Sequence, residues 1–139
     1  MLAKILMAWC LVVATVFIHV AGLALVFGPV LRWTSRLEAR FWSVTWLLIR
    51  TTGWLVAIHC VEIAAWAIFF WWQGCVPDAE SAFYFSGVTY TTLGYGDVVL
   101  PSDWRIFGPV EALTGILMCA LSTGFLLAVV NKMYARTKS

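Results

Sequence analysis

The chain has 139 residues, of which 63% are hydrophobic, 16% aromatic and only 12% charged, and its net charge is +2. A soluble fold of this length cannot hide that much apolar surface without exposing large patches, so an ordinary cytosolic enzyme is excluded and a membrane protein is expected. The charge is too small to imply a nucleic-acid partner.

A bilayer core about 30 Å thick needs roughly 20 helical residues, which makes the spans countable. Residues 1–31 form the first. Their apolar run exceeds the apolar core of a secretory signal and lacks a small-residue cleavage site, so the segment is read as a retained helix. Residues 32–52 follow, with Arg32, Arg36, Arg40 and Arg50 against one acid, Glu38, and with Trp33, Leu37, Phe41, Trp42 and Trp46 interleaved. This pattern predicts an amphipathic segment on the inner leaflet. The arginines recur every four residues but lie outside a spanning helix, which argues against a voltage sensor. Residues 53–72 form the second span.

Within it, Glu62 lies three residues after His59 and so on the same helical face, while His19 sits at comparable depth in the first span. Ionisable groups inside a bilayer are expensive and usually paired. One reading is a polar clasp of His19, His59 and Glu62 that docks the first helix on the second. The other is a proton-sensitive switch or a metal site. The clasp is preferred, because two His and one Glu on two helices form a loose ligand set.

Residues 77–104 are too short and too interrupted to cross and return as two full helices, so this segment is re-entrant or external. Asp78 as N-cap and Glu80 in the first turn predict a short helix over 78–90. TTLGYGD, residues 91–97, ends it abruptly. Two glycines flanking a tyrosine permit backbone conformations in which successive carbonyls point the same way. Non-helical backbone at membrane depth is tolerated only when packed in protein or lining an aqueous path.

The third span covers residues 106–131 and a tail covers 132–139, so no attached regulatory domain is expected after it. Gly115 and Gly124 serve either as bending points or as sites of close helix packing. Ile116, Cys119 and Thr123 share a face near Gly115, and Glu111 lies nearer the outer end. Lys132, Arg136 and Lys138 join the arginines of 32–52 on one side, while Lys4 and Arg105 lie with Asp78, Glu80, Asp97 and Asp103 on the other. The positive-inside rule then puts the N-terminus outside, extracellular or periplasmic, and the C-terminus in the cytoplasm. Cys10, Cys60 and Cys119 read as small packing residues, and Cys75, in a turn, as a free thiol rather than an inter-subunit cross-link. Their spacing signals neither a zinc site nor a redox motif.

Helix, short helix, T-x-G-Y-G-D, helix is an order that resembles the potassium-channel pore family. The matched residues are Thr91, Thr92, Leu93, Gly94, Tyr95, Gly96 and Asp97, and the preceding AFYFSGVTYTT is similar to the pore helices of two-pore-domain channels. With one pore segment, the chain is also similar to short prokaryotic single-pore channels. The resemblance covers residues 53–131 and is most specific over 82–97. It implies an all-α membrane protein: three transmembrane helices, a re-entrant pore helix and a selectivity filter, assembled as a fourfold homotetramer. The outer helix would be 53–72, the pore helix 78–90, the filter 91–97 and the inner helix 106–131. Potassium would bind backbone oxygens of Thr92, Leu93, Gly94 and Tyr95, with Gly96 completing the filter.

Thr91, Asp97 and Tyr84 would support that filter. At the outer mouth Asp97 either accepts a hydrogen bond from Tyr84 or acts as a surface carboxylate that attracts cations. Leu93 departs from the commoner Val or Ile, and Val88 stands where some relatives carry a glutamate. Gly115 and Gly124 are the candidate gating hinges. The implied function is passive, potassium-selective conduction, with membrane lipids and other copies of the chain as partners. No cofactor is expected, potassium being the permeant ion. The alternatives are a weakly selective cation channel and a non-conducting channel-associated subunit. An enzyme is not expected, since His59 and Glu62 lack an accompanying nucleophile or metal triad.

Overall fold

In the computed structural model, residues 2–36 and 41–137 are described, and among them every regular element is helical. The order is α1 (Leu2–Arg36), α2 (Phe41–Trp72), α3 (Ala79–Tyr90), a 3₁₀ turn (Ser102–Trp104) and α4 (Phe107–Thr137). At 1.5 Å per residue the three long helices extend roughly 46 to 52 Å. Each is long and apolar enough to cross a membrane.

α1 and α4 run in the same direction and α2 against them. At one end Lys4 of α1 donates to the Asp103 carbonyl at 2.7 Å and lies over the Trp104 ring, 4.8 Å from its centroid. At the other, Val30, Leu47, Val129 and Met133 form a small apolar cluster from α1, α2 and α4. Short α3 packs between α2 and α4 at the Lys4 end. Its base is a core of Trp66, Phe70, Ala82, Phe85, Leu100 and Phe107, in which Phe70 meets Phe85 edge to face at 5.3 Å. Edge-to-face pairs of this kind are favoured by the ring quadrupoles.

Two boundaries differ from the sequence reading. Among the described residues, 32–36 extend α1, and α2 runs from Phe41. Residues 37–40, including Leu37, Glu38 and Arg40, lie outside the described residues. The physical reason is packing. Leu47 is buried with Val30 of α1 and Val129 and Met133 of α4, so this stretch is held against both helices. α1 also continues past Pro29, although a proline lacks the N–H that would bond the carbonyl four residues earlier. Val26 and Val30 on either side of it pack on the same apolar cluster, which holds the helical course.

The cysteines differ in burial. Cys10, Cys60 and Cys119 are exposed on the isolated chain, whereas Cys75 is buried in the aromatic core, where loss of hydration pushes its thiol up and keeps it neutral. All four are free thiols.

Gly115 has a packing role. A Cβ there would collide with the backbone carbonyl of Tyr90, while one at Gly124 would meet nothing within 4 Å. The clash is with backbone at the end of α3, which cannot rotate away. Gly115→Ala is therefore expected to destabilise the protein by about 1–3 kcal/mol through overpacking, and Gly124→Ala to be nearly neutral. Thermal unfolding of the two variants in detergent checks this, and equal behaviour would refute it.

Candidate functional site

α3 is fixed at its start by Asp78, whose carboxylate accepts from the Ser81 amide at 2.8 Å and the Ser81 hydroxyl at 2.9 Å. It ends at Tyr90, where the chain turns into TTLGYGD. The Thr91 amide and hydroxyl both bond the Gly87 carbonyl, at 3.1 and 2.7 Å. The next three amides also turn back: Thr92 donates to Thr89 (2.9 Å), and Leu93 and Gly94 both donate to Val88, at 2.9 and 3.2 Å.

Peptide geometry then fixes the carbonyls. The described residues contain no cis peptide, and in a trans peptide the carbonyl of one residue points opposite to the N–H of the next. With the amides of 92, 93 and 94 directed at α3, the carbonyls of Thr91, Thr92 and Leu93 point away from it. The backbone achieves this by alternating hand. φ is positive at Thr92 (61°), Gly94 (57°) and Gly96 (79°), and Leu93 and Tyr95 between them are not in that region. Among the described residues Thr92 is the one non-glycine with positive φ, a strained conformation that needs its surroundings to hold it. The bonds from 91 through 94 onto the last turn of α3 supply that support.

All of residues 91–97 are exposed on the isolated chain, Leu93 at 55% and Tyr95 at 67%. Behind the loop lies a cavity of about 280 Å³ lined by Tyr84, Val88, Thr89, Gly94, Gly96 and Asp97, among others. Tyr84 closes it by donating its hydroxyl to Asp97 Oδ2 at 2.7 Å, while Asp97 Oδ1 accepts from the Val98 amide at 3.1 Å.

That bond lowers the Asp97 carboxyl below its ordinary range and raises the Tyr84 phenol. A lowered carboxyl contributes stability that is complete above the ordinary carboxylate range and is lost as pH falls through the depressed value. Tyr84→Phe is accordingly expected to flatten the acid limb of the stability profile, leaving the neutral region offset downward. Thermal unfolding between acid and neutral pH tests this, and an unaltered acid limb would contradict it.

On the far side of α3, a buried polar cluster joins all four helices. His19 Nδ1 of α1 lies 2.9 Å from Glu62 Oε1, and His59 Nδ1 lies 3.2 Å from Glu62 Oε2 and 3.0 Å from the Tyr90 hydroxyl. Tyr90 itself donates to Glu62 Oε2. His59 Nε2 is 3.0 Å from Ser122 Oγ of α4, and His19 Nε2 is 3.5 Å from the same oxygen. His19, Glu62 and Tyr90 are almost wholly buried. The structure thus brings the three sequence-selected residues together and adds Tyr90 and Ser122, which sequence reasoning missed. The available signal was the expense of a buried Glu62, which demands more partners than two imidazoles supply. A second buried carboxyl, Glu111, is bonded to Ser86 of α3, whose hydroxyl also reaches the Ile63 carbonyl at 2.9 Å. Ile116, Cys119 and Thr123 lie on the exposed face of α4, opposite the buried stripe of Glu111, Thr114, Met118 and Ser122.

Residues 56–132, more than half of the chain, match the sequence profile of a family described as Ion channel, the two-transmembrane potassium-channel family. This chain is a member of that ion-channel family. The match begins within α2 and ends within α4, so it takes in α3, the 91–97 loop and every member of the polar cluster except His19. No solved structure matches the chain. With three helices able to cross a bilayer, the channel is a multi-pass membrane protein for ion transport. α1 is the element that the family match leaves out.

Proposed function

We propose that the channel is potassium-selective and conducts passively through a homotetrameric pore lined by TTLGYGD. The observation that carries this reading is the outward row of carbonyls from Thr91 to Leu93, enforced by three amides bonded to α3 and by alternating φ. Oxygens held in such a row replace the hydration shell of a permeant cation, and backbone oxygens of Thr92, Leu93, Gly94 and Tyr95 are the proposed potassium sites. One chain presents one wall. Exposed Leu93, Tyr95 and Ile116 would be covered when four chains close around a common axis, and cyclic symmetry gives every wall the same environment.

The other residues then take definite roles. α3 acts as a re-entrant pore helix whose C-terminal end, with its partial negative charge, faces the ion's path before the filter. The Tyr84–Asp97 bond braces the outer mouth. Ile116, Cys119 and Thr123 line the inner cavity, and cations outnumber acids toward the cytoplasm, with the N-terminus outside.

The test is the potassium-over-sodium reversal potential of the purified protein, reconstituted alone. A strong potassium preference is expected. Current without preference would make it a weakly selective cation channel, and a folded tetramer that never conducts would make it a channel-associated subunit.

A further inference from the structure

We infer that His19, His59, Glu62 and Tyr90 form a binding site for one divalent transition-metal ion of the zinc class, with Ser122 orienting both imidazoles. The site is separate from the proposed potassium path and does not depend on the chain's conducting.

The first support is a donor count. If both rings carry their proton on Nδ1, Glu62 accepts from His19, His59 and Tyr90, but both Nε2 lone pairs then face one Ser122 hydroxyl. That hydroxyl has a single hydrogen. One buried acceptor is left without a donor, and an uncompensated carboxylate charge stays inside a spanning bundle, both of which are costly. In that protonation state the cluster is short of positive charge.

A divalent ion on the two Nδ1 atoms removes both faults. Each ring moves its proton to Nε2, and the Ser122 oxygen, with two lone pairs, accepts from both. This is the outer-shell arrangement that fixes metal-bound histidines. The Glu62 carboxylate and the Tyr90 oxygen complete a closed set of four. Tyr90 gives its proton to solvent on binding, so Glu62 and the phenolate together cancel the ion's two charges.

Geometry is the second support. The His19–Glu62, His59–Tyr90 and His59–Glu62 donor atoms are 2.9, 3.0 and 3.2 Å apart, and the two imidazoles and the carboxylate offer ligand atoms all within 4.8 Å of one another. Ligands of a tetrahedral ion bound at about 2.0–2.1 Å are separated by roughly 3.3 Å, so the close pairs open slightly and the wider pairs, none beyond 4.8 Å, draw in to seat it. The loose two-helix set inferred from the sequence becomes a closed three-helix set once Tyr90 arrives.

The experiment uses the full chain in detergent, stripped with a chelator and titrated with Co2+ as a spectroscopic stand-in. Expected are the intense visible d–d bands of four-coordinate cobalt at one ion per chain, bleached by added Zn2+. Ser122→Ala should weaken binding by roughly 10–100-fold, as loss of an outer-shell partner does, and His19→Gln should abolish the bands while helicity and oligomeric state are retained. If His19→Gln does not fold, X-ray absorption of the zinc-loaded wild type decides instead: nitrogen and oxygen neighbours including imidazoles support the site, and sulfur neighbours overturn it. Absence of bands from folded wild type, binding that survives His19→Gln, or thiolate charge-transfer bands would each refute the inference. Imidazole titration without metal uptake would show that a proton alone fills the deficit, and would refute it equally. All readouts are taken without current, so a failure here is distinct from a failure of the channel reading.

Discussion

Gly94→Ala is expected to abolish the potassium preference of the reconstituted channel, bringing the potassium and sodium permeabilities close to equality or silencing the current. Gly94 has φ of +57°, and nothing lies within 4 Å of the place a Cβ would occupy, so the obstacle is the backbone conformation itself rather than a neighbour. An L-residue in the left-handed region costs about 1–2 kcal/mol. In the proposed tetramer that cost falls four times on a single conduction path. The cheapest relief is for residue 94 to leave the left-handed region. That rotation breaks the bond from its amide to Val88 and turns the Leu93 carbonyl out of the row, because the two groups belong to one peptide plane. Gly53→Ala is the matched control. It sits inside α2 with open space around it and no left-handed φ, so selectivity should be untouched. Reversal potentials for the wild type and the two variants make the comparison. Unchanged selectivity in Gly94→Ala would show that the carbonyl row is not what discriminates between ions.

The same residues show why this part of the molecule was legible from sequence. Glycine is the default wherever φ must be positive, so the spacing of Gly94 and Gly96 around Tyr95 encodes a backbone shape directly. Span counting worked for a similar reason: apolar runs long enough to cross a bilayer have few other uses. Less legible was whatever packing decides. The amphipathic pattern of 32–52 suits a helix lying on a leaflet, and burial of Leu47 against α1 and α4 makes its second half continuous with α2. Tyr90 and Ser122 carry no periodic signature either. A tyrosine ending a pore-like helix and a serine in an apolar span each look like packing residues until a third helix brings His59 between them. Thr92 is the reverse case. Its residue type gives no hint of a left-handed conformation, which comes from bonds made by its neighbours onto α3.

Glu62→Ala is expected to have the largest effect on stability of any single change outside the 91–97 loop. Its two oxygens are the meeting point of His19, His59 and Tyr90, so truncation takes a partner from three polar groups at once and leaves His19 Nδ1 with none. Removing one partner of a buried charged pair costs about 3–5 kcal/mol, and each further buried group left unpaired adds about 1–3 kcal/mol. Against a total stability of about 5–15 kcal/mol, this is a large fraction. α1 keeps other ties, since the Trp66 indole donates to Thr15 at 2.9 Å, Trp54 reaches the Gly22 carbonyl at 3.2 Å and Lys4 bonds the Asp103 carbonyl. The loss should therefore fall on the anchoring of α3, through Tyr90, as much as on α1. A double-mutant cycle separates this account from simple cavity formation. Tyr90→Phe removes a hydroxyl bonded to Glu62 and 3.0 Å from His59 Nδ1, so its cost should fall, without vanishing, once Glu62 is already alanine, giving a coupling of about 0.5–3 kcal/mol. Additive costs in thermal or denaturant unfolding would mean that the carboxylate and the phenol act independently. In that case the cluster would not tie α1 to the end of α3.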